Sequence, residues 1–99
     1  MRKGQTVNEV RQLGQTDDTG TPLVFRDYLI KNDITQTEAA HKIGVTVSSL
    51  SKWERHLSQP KMKNIAMIEL VFGIPDARGL FPRVWPHLMP DEYKGVSKE

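Results

Sequence analysis

The apolar positions of this chain fall in short clusters at helical spacing. Phe25, Tyr28 and Leu29 recur at i, i+3 and i+4 and predict a first amphipathic helix. Thr21-Pro22 reads as its start, with Thr at the N-cap and Pro at the first helical position, and Asn32-Asp33 reads as its end. Residues 1–20 are polar and close on Thr16-Asp17-Asp18-Thr19-Gly20, which predicts a flexible arm. Within it Val7, Val10 and Leu13 are spaced for one weak amphipathic turn.

Three further helices follow. Thr35 is placed to cap a second helix, and Glu38 three residues on predicts a capping box. Ala39, Ala40 and Ile43 form its inner face, and Gly44 stops it. Thr46 opens a third helix that runs through about Arg55, and a polar loop then reaches Pro60. A fourth helix is expected from about Lys61 to Phe72, closed by Gly73 with Pro75 beyond. Four to five short helices with no strand signal and no internal repeat make an all-α domain over 21–75. It lies between the arm (1–20) and a tail (76–99) in which Pro82, Pro86 and Pro90, with Pro75 just before it, exclude a long helix.

The spacing of Ala40, Gly44 and Leu50 is the most informative feature. Two helices meeting at a sharp angle need a small residue where their backbones approach, and Ala40 supplies it. The turn between them needs a residue that tolerates positive φ, and Gly44 supplies that. Leu50 and Trp53 then anchor the second of the pair inward, while Ile43 and Val45 bracket the turn.

The run from Gln36 through Ala40, Gly44, Val47, Leu50 and Trp53 to Arg55 resembles the helix-turn-helix of the λ-repressor/Cro-like (XRE-type) family. The flanking Ile34-Thr35-Gln36 and Ile65, Ile68 and Phe72-Gly73-Ile74 fit the same pattern, so the resemblance covers about Pro22 to Pro75. It implies a DNA-binding regulator whose third helix enters the major groove. It also implies base contacts at Val47, Ser48 and Lys52, and a phosphate clamp at Gln36. Family members often carry glutamine at the first reading positions. Val47 and Ser48 stand there in this chain, so no base preference carries over.

The outward side of the third helix follows from geometry. Counting from Val47 at 100° per residue, Leu50 and Trp53 lie at about 300° and 240°, which sets the buried direction near 270°. Ser48, Ser51, Lys52 and Arg55 fall within about 40° to 140°, on the opposite side. Lys52 can donate to guanine O6 or N7, Ser48 can donate or accept, and Val47 can meet a thymine methyl. Val47, Ser48, Ser51 and Lys52 are therefore the expected base-facing set. Gln36, Thr46, Ser49, Arg55, Lys61 and Lys63 are the expected phosphate-facing set.

Charge and composition sharpen this only in part. The formal net charge is +2, and the excess is local: residues 36–75 carry Lys42, Lys52, Arg55, Lys61 and Lys63 against Glu38, Glu54 and Glu69, while the flanks balance. A local basic surface is what phosphate neutralisation requires. Trp53 is expected in the core, and Glu54 to brace the loop or pair with a neighbouring cation rather than touch DNA. The chain has 99 residues, 37% of them apolar, and no cysteine. No apolar stretch approaches the roughly 20 residues that span a bilayer, and a cytosolic protein is expected. His41, His56 and His87 have no metal-ligand spacing, so neither a metal nor a cofactor is expected, nor an enzyme.

The fourth helix has more apolar surface than one stripe requires. Ile65, Ile68 and Phe72 serve the core, which leaves Met67, Leu70 and Val71 on a second side. Either the apolar residues of the tail cover that side, or both build a dimer interface. The dimer is the expected arrangement, through Met67, Leu70, Val71, Phe81 and Trp85. The expectation is thus a phage- or prophage-type repressor, bound as a homodimer to a two-fold operator in double-stranded DNA. The alternative is an antitoxin that uses the tail to hold a small protein partner and binds DNA to control its own operon.

Overall fold

The computed structural model describes residues 11–94; the spacing noted at Val7 and Val10 lies outside them. Four α-helices follow one another: α1 (Val24–Lys31), α2 (Gln36–Ile43), α3 (Val47–Glu54) and α4 (Met62–Phe72). Three 3₁₀ turns, Ala77–Leu80, Pro86–Leu88 and Asp91–Tyr93, complete the described chain. The fold is all-α, and its only β-pairing among the described residues is an isolated antiparallel bridge between Thr16 and Pro22.

That bridge corrects the expected start of the first helix. Thr21 and Pro22 do not cap it; α1 begins at Val24, and its N-cap, Leu23, makes no side-chain bond. The reason is competition from the preceding segment. Asp17 N–H donates to Thr21 O (2.9 Å), and Thr21 N–H donates to the Asp17 carboxylate (2.9 Å). Leu23 N–H donates to Gln15 O (2.9 Å). The backbone of 21–23 is engaged in an extended pairing, which a helical turn there would break.

The other helix ends obey local chemistry. Thr35 and Thr46 sit in extended conformation, and each hydroxyl accepts the N–H three residues on, from Glu38 and Ser49 at 3.0 Å. At Thr35 only this forward half of the expected capping box forms. Gly44 ends α2 with φ 89°, a left-handed conformation costly for a side-chain-bearing residue. This lets Ala40 O accept both Gly44 N–H (2.8 Å) and Val45 N–H (3.0 Å). Ala40 itself is buried. Gly73 closes α4 in the same way, with φ 68°.

One core unites the helices and the tail. Phe25, Leu29, Leu50, Ile65 and Ile68 are at most 1% exposed, and Ala77 and Phe81 join them. The Phe25 and Phe81 rings lie 5.0 Å apart between centroids, tilted by 44°. Gly79 permits the tail to fold this tightly, since a Cβ there would lie 2.6 Å from Leu88 O. The expected dimer-interface role of Phe81 is therefore corrected: the ring is 2% exposed and fills its own chain's core. Burial within the chain gains the same apolar contact without the cost of associating two molecules. Trp85 and Val71 are half-buried against the same core. Met67 and Leu70 remain exposed, Leu70 at 76%.

The segment before α1 also takes part in this packing. Of the arm expected over 1–20, the part from Arg11 lies against the helices. Arg11 pairs with Glu54, Gly14 N–H donates to both Asp27 carboxylate oxygens (3.1 and 3.2 Å), and Asp17 meets His56 and Arg83.

Candidate nucleic-acid interface

The sequence places short hydroxyls and cations on one side of α3 and large apolar groups on the other, and the fold keeps them apart. Leu50 and Trp53 are buried, while Val47 (40% exposed), Ser48, Lys52 and Arg55 are open to solvent and Ser51 is half-buried. The side chains expected to face bases thus share one face. The helix beneath it is held at both ends. At the N-terminus, Thr46 and Ser49 are bonded to each other twice: Ser49 N–H donates to Thr46 Oγ1, which donates to Ser49 Oγ (3.0 Å each). The two hydroxyls are thereby engaged in the cap.

The C-terminus of α3 is held by charge. Glu54 is 1% exposed and accepts from Arg11 Nη2 at Oε2 and from Gln36 Nε2 at Oε1 (2.8 Å). Burial pushes its carboxyl above the ordinary value, while Arg11, Gln36 and Arg26 work against that shift. Glu54 does pair with a cation, but with one 43 positions away in sequence rather than the neighbouring one expected. Its inward direction was readable: seven residues after Val47, it falls at about 340°, nearer the buried direction than the exposed one.

Gln36 is half-buried, and its amide is turned inward to Glu54. Ser49, Lys61 and Lys63 line one cleft of about 540 Å³ between the helix-turn-helix and the start of α4, together with Gln59 and Asn64. Both lysines are exposed. Arg55 lines a different cleft, of about 720 Å³, with Arg26, His56 and Arg83. Of the expected phosphate-facing residues, Ser49, Lys61 and Lys63 thus share one cleft and Arg55 lines another, while Gln36 and Thr46 line neither of the two. Gln59, Asn64, Arg26 and Arg83, which line the same clefts, were not in the expected set. Gln59 and Asn64 carry no periodic signal, and Arg26 and Arg83 belong to segments distant in sequence.

All five cations of residues 36–75 are exposed. Of the three carboxylates in that stretch, Glu54 is buried against Arg11, and Glu69 accepts Ala77 N–H (3.0 Å). The outward field of the middle segment is more positive than residue counting suggests.

His56, just beyond α3, has φ 62°, unusual for a residue with a side chain. Its Nδ1 lies 2.8 Å from Asp17 Oδ2, which Arg83 Nη1 also approaches. Burial works to raise the Asp17 carboxyl, but hydrogen bonds from Thr19, His56 and Arg83 outweigh it and hold the group well below the usual carboxylate range.

A family model described as Helix-turn-helix matches residues 25–77. The chain belongs to that family, of the XRE or λ-repressor-like type. No curated protein and no solved structure matches the chain significantly. The match spans α1 to α4 and stops within the first 3₁₀ turn, so Arg11, Asp17, Arg83 and Tyr93 lie outside it. The family consists of DNA-binding transcriptional regulators and is not an enzyme family. Among the described residues no helix is long and apolar enough to cross a membrane.

Proposed function

We propose that this helix-turn-helix protein is a sequence-reading repressor of the phage type, bound as a homodimer to a two-fold operator. The observation that carries the reading is the open face of α3, where Val47, Ser48 and Lys52 stand exposed over a helix anchored by Leu50, Trp53 and Glu54. In the major groove, Lys52 would donate to guanine, Ser48 would bond either partner of a base pair, and Val47 would pack on a thymine methyl. Ser51 lies at the edge of that face. Arg55, Lys61 and Lys63 would hold phosphates on either side, helped by Thr46, Ser49 and the first turn of α2 at Gln36.

The dimer reading rests on α4. Leu70 and Met67 are exposed on a helix whose other side is core, with Val71 at the border. Two half-sites about 34 Å apart would be engaged by a symmetric pair. The antitoxin alternative needed a tail free to hold a partner. Leu80, Phe81 and Tyr93 are buried in the chain's own core, and this favours the repressor.

Selection from a pool of random duplex DNA at about 150 mM salt tests the proposal. Recovery of a motif with two inverted half-sites about one helical turn apart supports it. Binding that yields no motif and vanishes as salt rises leaves phosphate attraction alone and overturns it.

A further inference from the structure

The buried carboxylate at the end of α3 draws its cation from outside the helix-turn-helix. Glu54 has two oxygens, and each is used: Oε2 by Arg11, Oε1 by the Gln36 amide at 2.8 Å. The Glu54 side chain is 2% exposed and that of Arg11 17%, so the pair is largely withdrawn from water. Gln36 is the first residue of α2, and Glu54 the last of α3. One chain of hydrogen bonds therefore runs from the N-terminal segment through the end of the exposed-face helix to the start of the helix before it.

Arg11 is held at its post by the residues that follow. Gly14 N–H bonds both oxygens of the buried Asp27 on α1, and Asp17 bonds His56, two residues beyond Glu54. The C-terminal end of α3 is thus gripped twice by one segment, at Glu54 and at His56. Buried charge pairs are costly to leave half-made, and in some proteins they specify geometry more than they add stability. The tilt of α3 against α2 decides where Val47, Ser48 and Lys52 point, and a displacement of an ångström at that face is enough to lose a bidentate base contact.

We infer that Arg11 is a positioning residue for DNA reading: through Glu54 and Gln36 it fixes the orientation of α3, so the reading unit includes a segment outside the family match. The inference rests on the proposed function. It differs from the simpler view that Arg11 is one more cation for phosphate, because its guanidinium is turned inward onto a buried carboxylate. Arg26 also acts on the Glu54 carboxylate through its charge, so loss of Arg11 does not leave that group without any cation.

The test uses the full chain and the operator recovered by selection, with random duplex as competitor. Arg11→Ala should lower the ratio of operator to random-DNA affinity about tenfold, and Arg11→Lys should restore part of it. The slope of log affinity against log salt should stay at the wild-type value. Glu54→Gln should give a similar loss, and the double variant should be no worse than either single one. Three results would overturn the positioning role: an unchanged ratio in a folded Arg11→Ala chain, additive losses in the double variant, or an equal loss on both DNAs. In the last case the salt slope would fall by about 0.9, the mark of a direct phosphate contact. If Arg11→Ala fails to fold, Arg11→Lys decides on the same readouts. A wild-type chain that selects no motif overturns the proposed function and this inference together, whereas a wild-type motif read equally well by the variants overturns only the inference.

Discussion

The Tyr93 hydroxyl donates to Asp27 Oδ2 across 2.9 Å, joining the last 3₁₀ turn to α1 over 66 positions of sequence. Both residues are buried, and Gly14 N–H reaches the same carboxylate from the other side. The flanks of the helix-turn-helix thus meet at one buried acid, with Lys31 adding a contact over the Tyr93 ring, 5.6 Å from its centroid.

Tyr93→Phe should destabilise the fold by about 1–3 kcal/mol, since a buried carboxylate loses a donor while the ring's apolar contacts survive. The pH dependence follows from the same geometry. Burial, then the bond to Asp27, holds the Tyr93 hydroxyl well above its ordinary value of 10.0. A group raised in the folded state contributes fully below the unfolded value and loses that contribution as pH climbs through the folded one. Urea unfolding should show stability falling above about pH 10, and the decline should be shallower in Tyr93→Phe.

The Asp17 cluster should govern acid stability. Its carboxyl is held below the ordinary 3.8, so it contributes fully above that value and loses the contribution as pH falls below it. Asp17→Asn should lower stability at neutral pH and flatten the acid limb of the unfolding curve. A parallel acid limb in wild type and variant would rule out this role.

Lys52 and Lys61 should fail in different ways. Lys52→Ala should cost roughly 1–3 kcal/mol on the preferred site and relax base preference there. Lys61→Ala should weaken all sequences alike and reduce the salt slope by about one. Quantitative binding to the selected operator and to single-base variants distinguishes them. Uniform losses from both would mean that the reading face is assigned wrongly.

Core and proposed interface separate in a second pair. Phe81→Ala should destabilise by about 3–5 kcal/mol, because it empties a buried site packed against the Phe25 ring. Leu70→Asp, at an exposed position, should leave folding stability within about 0.5 kcal/mol while shifting the sedimentation profile toward monomer. A profile unchanged by Leu70→Asp would remove α4 from the dimer interface.

Most of the helical frame was legible because its signals act within a few residues. Thr35 and Thr46 cap the N–H three positions on, and Gly44 and Gly73 turn the chain where Cβ-bearing residues resist. The direction of Leu50, Trp53, Ser48 and Lys52 on α3 follows from helical period alone. These are short-range steric and hydrogen-bonding choices, available before the chain collapses. Thr21-Pro22 carried a local signal just as clear, yet in the fold its backbone groups pair with residues 15–17 instead. The partners of buried charges were invisible for the opposite reason. Nothing near Glu54 in sequence points to Arg11, nor anything near Asp27 to Tyr93, because such groups find each other only when folding removes them from water together. Phe81 was likewise readable as apolar but not as inward, since a hydrophobic side chain in a turn-rich tail suits a partner's surface or its own core equally. Packing against Phe25 settled the choice, and left Leu70 and Met67 as the apolar surface still uncovered.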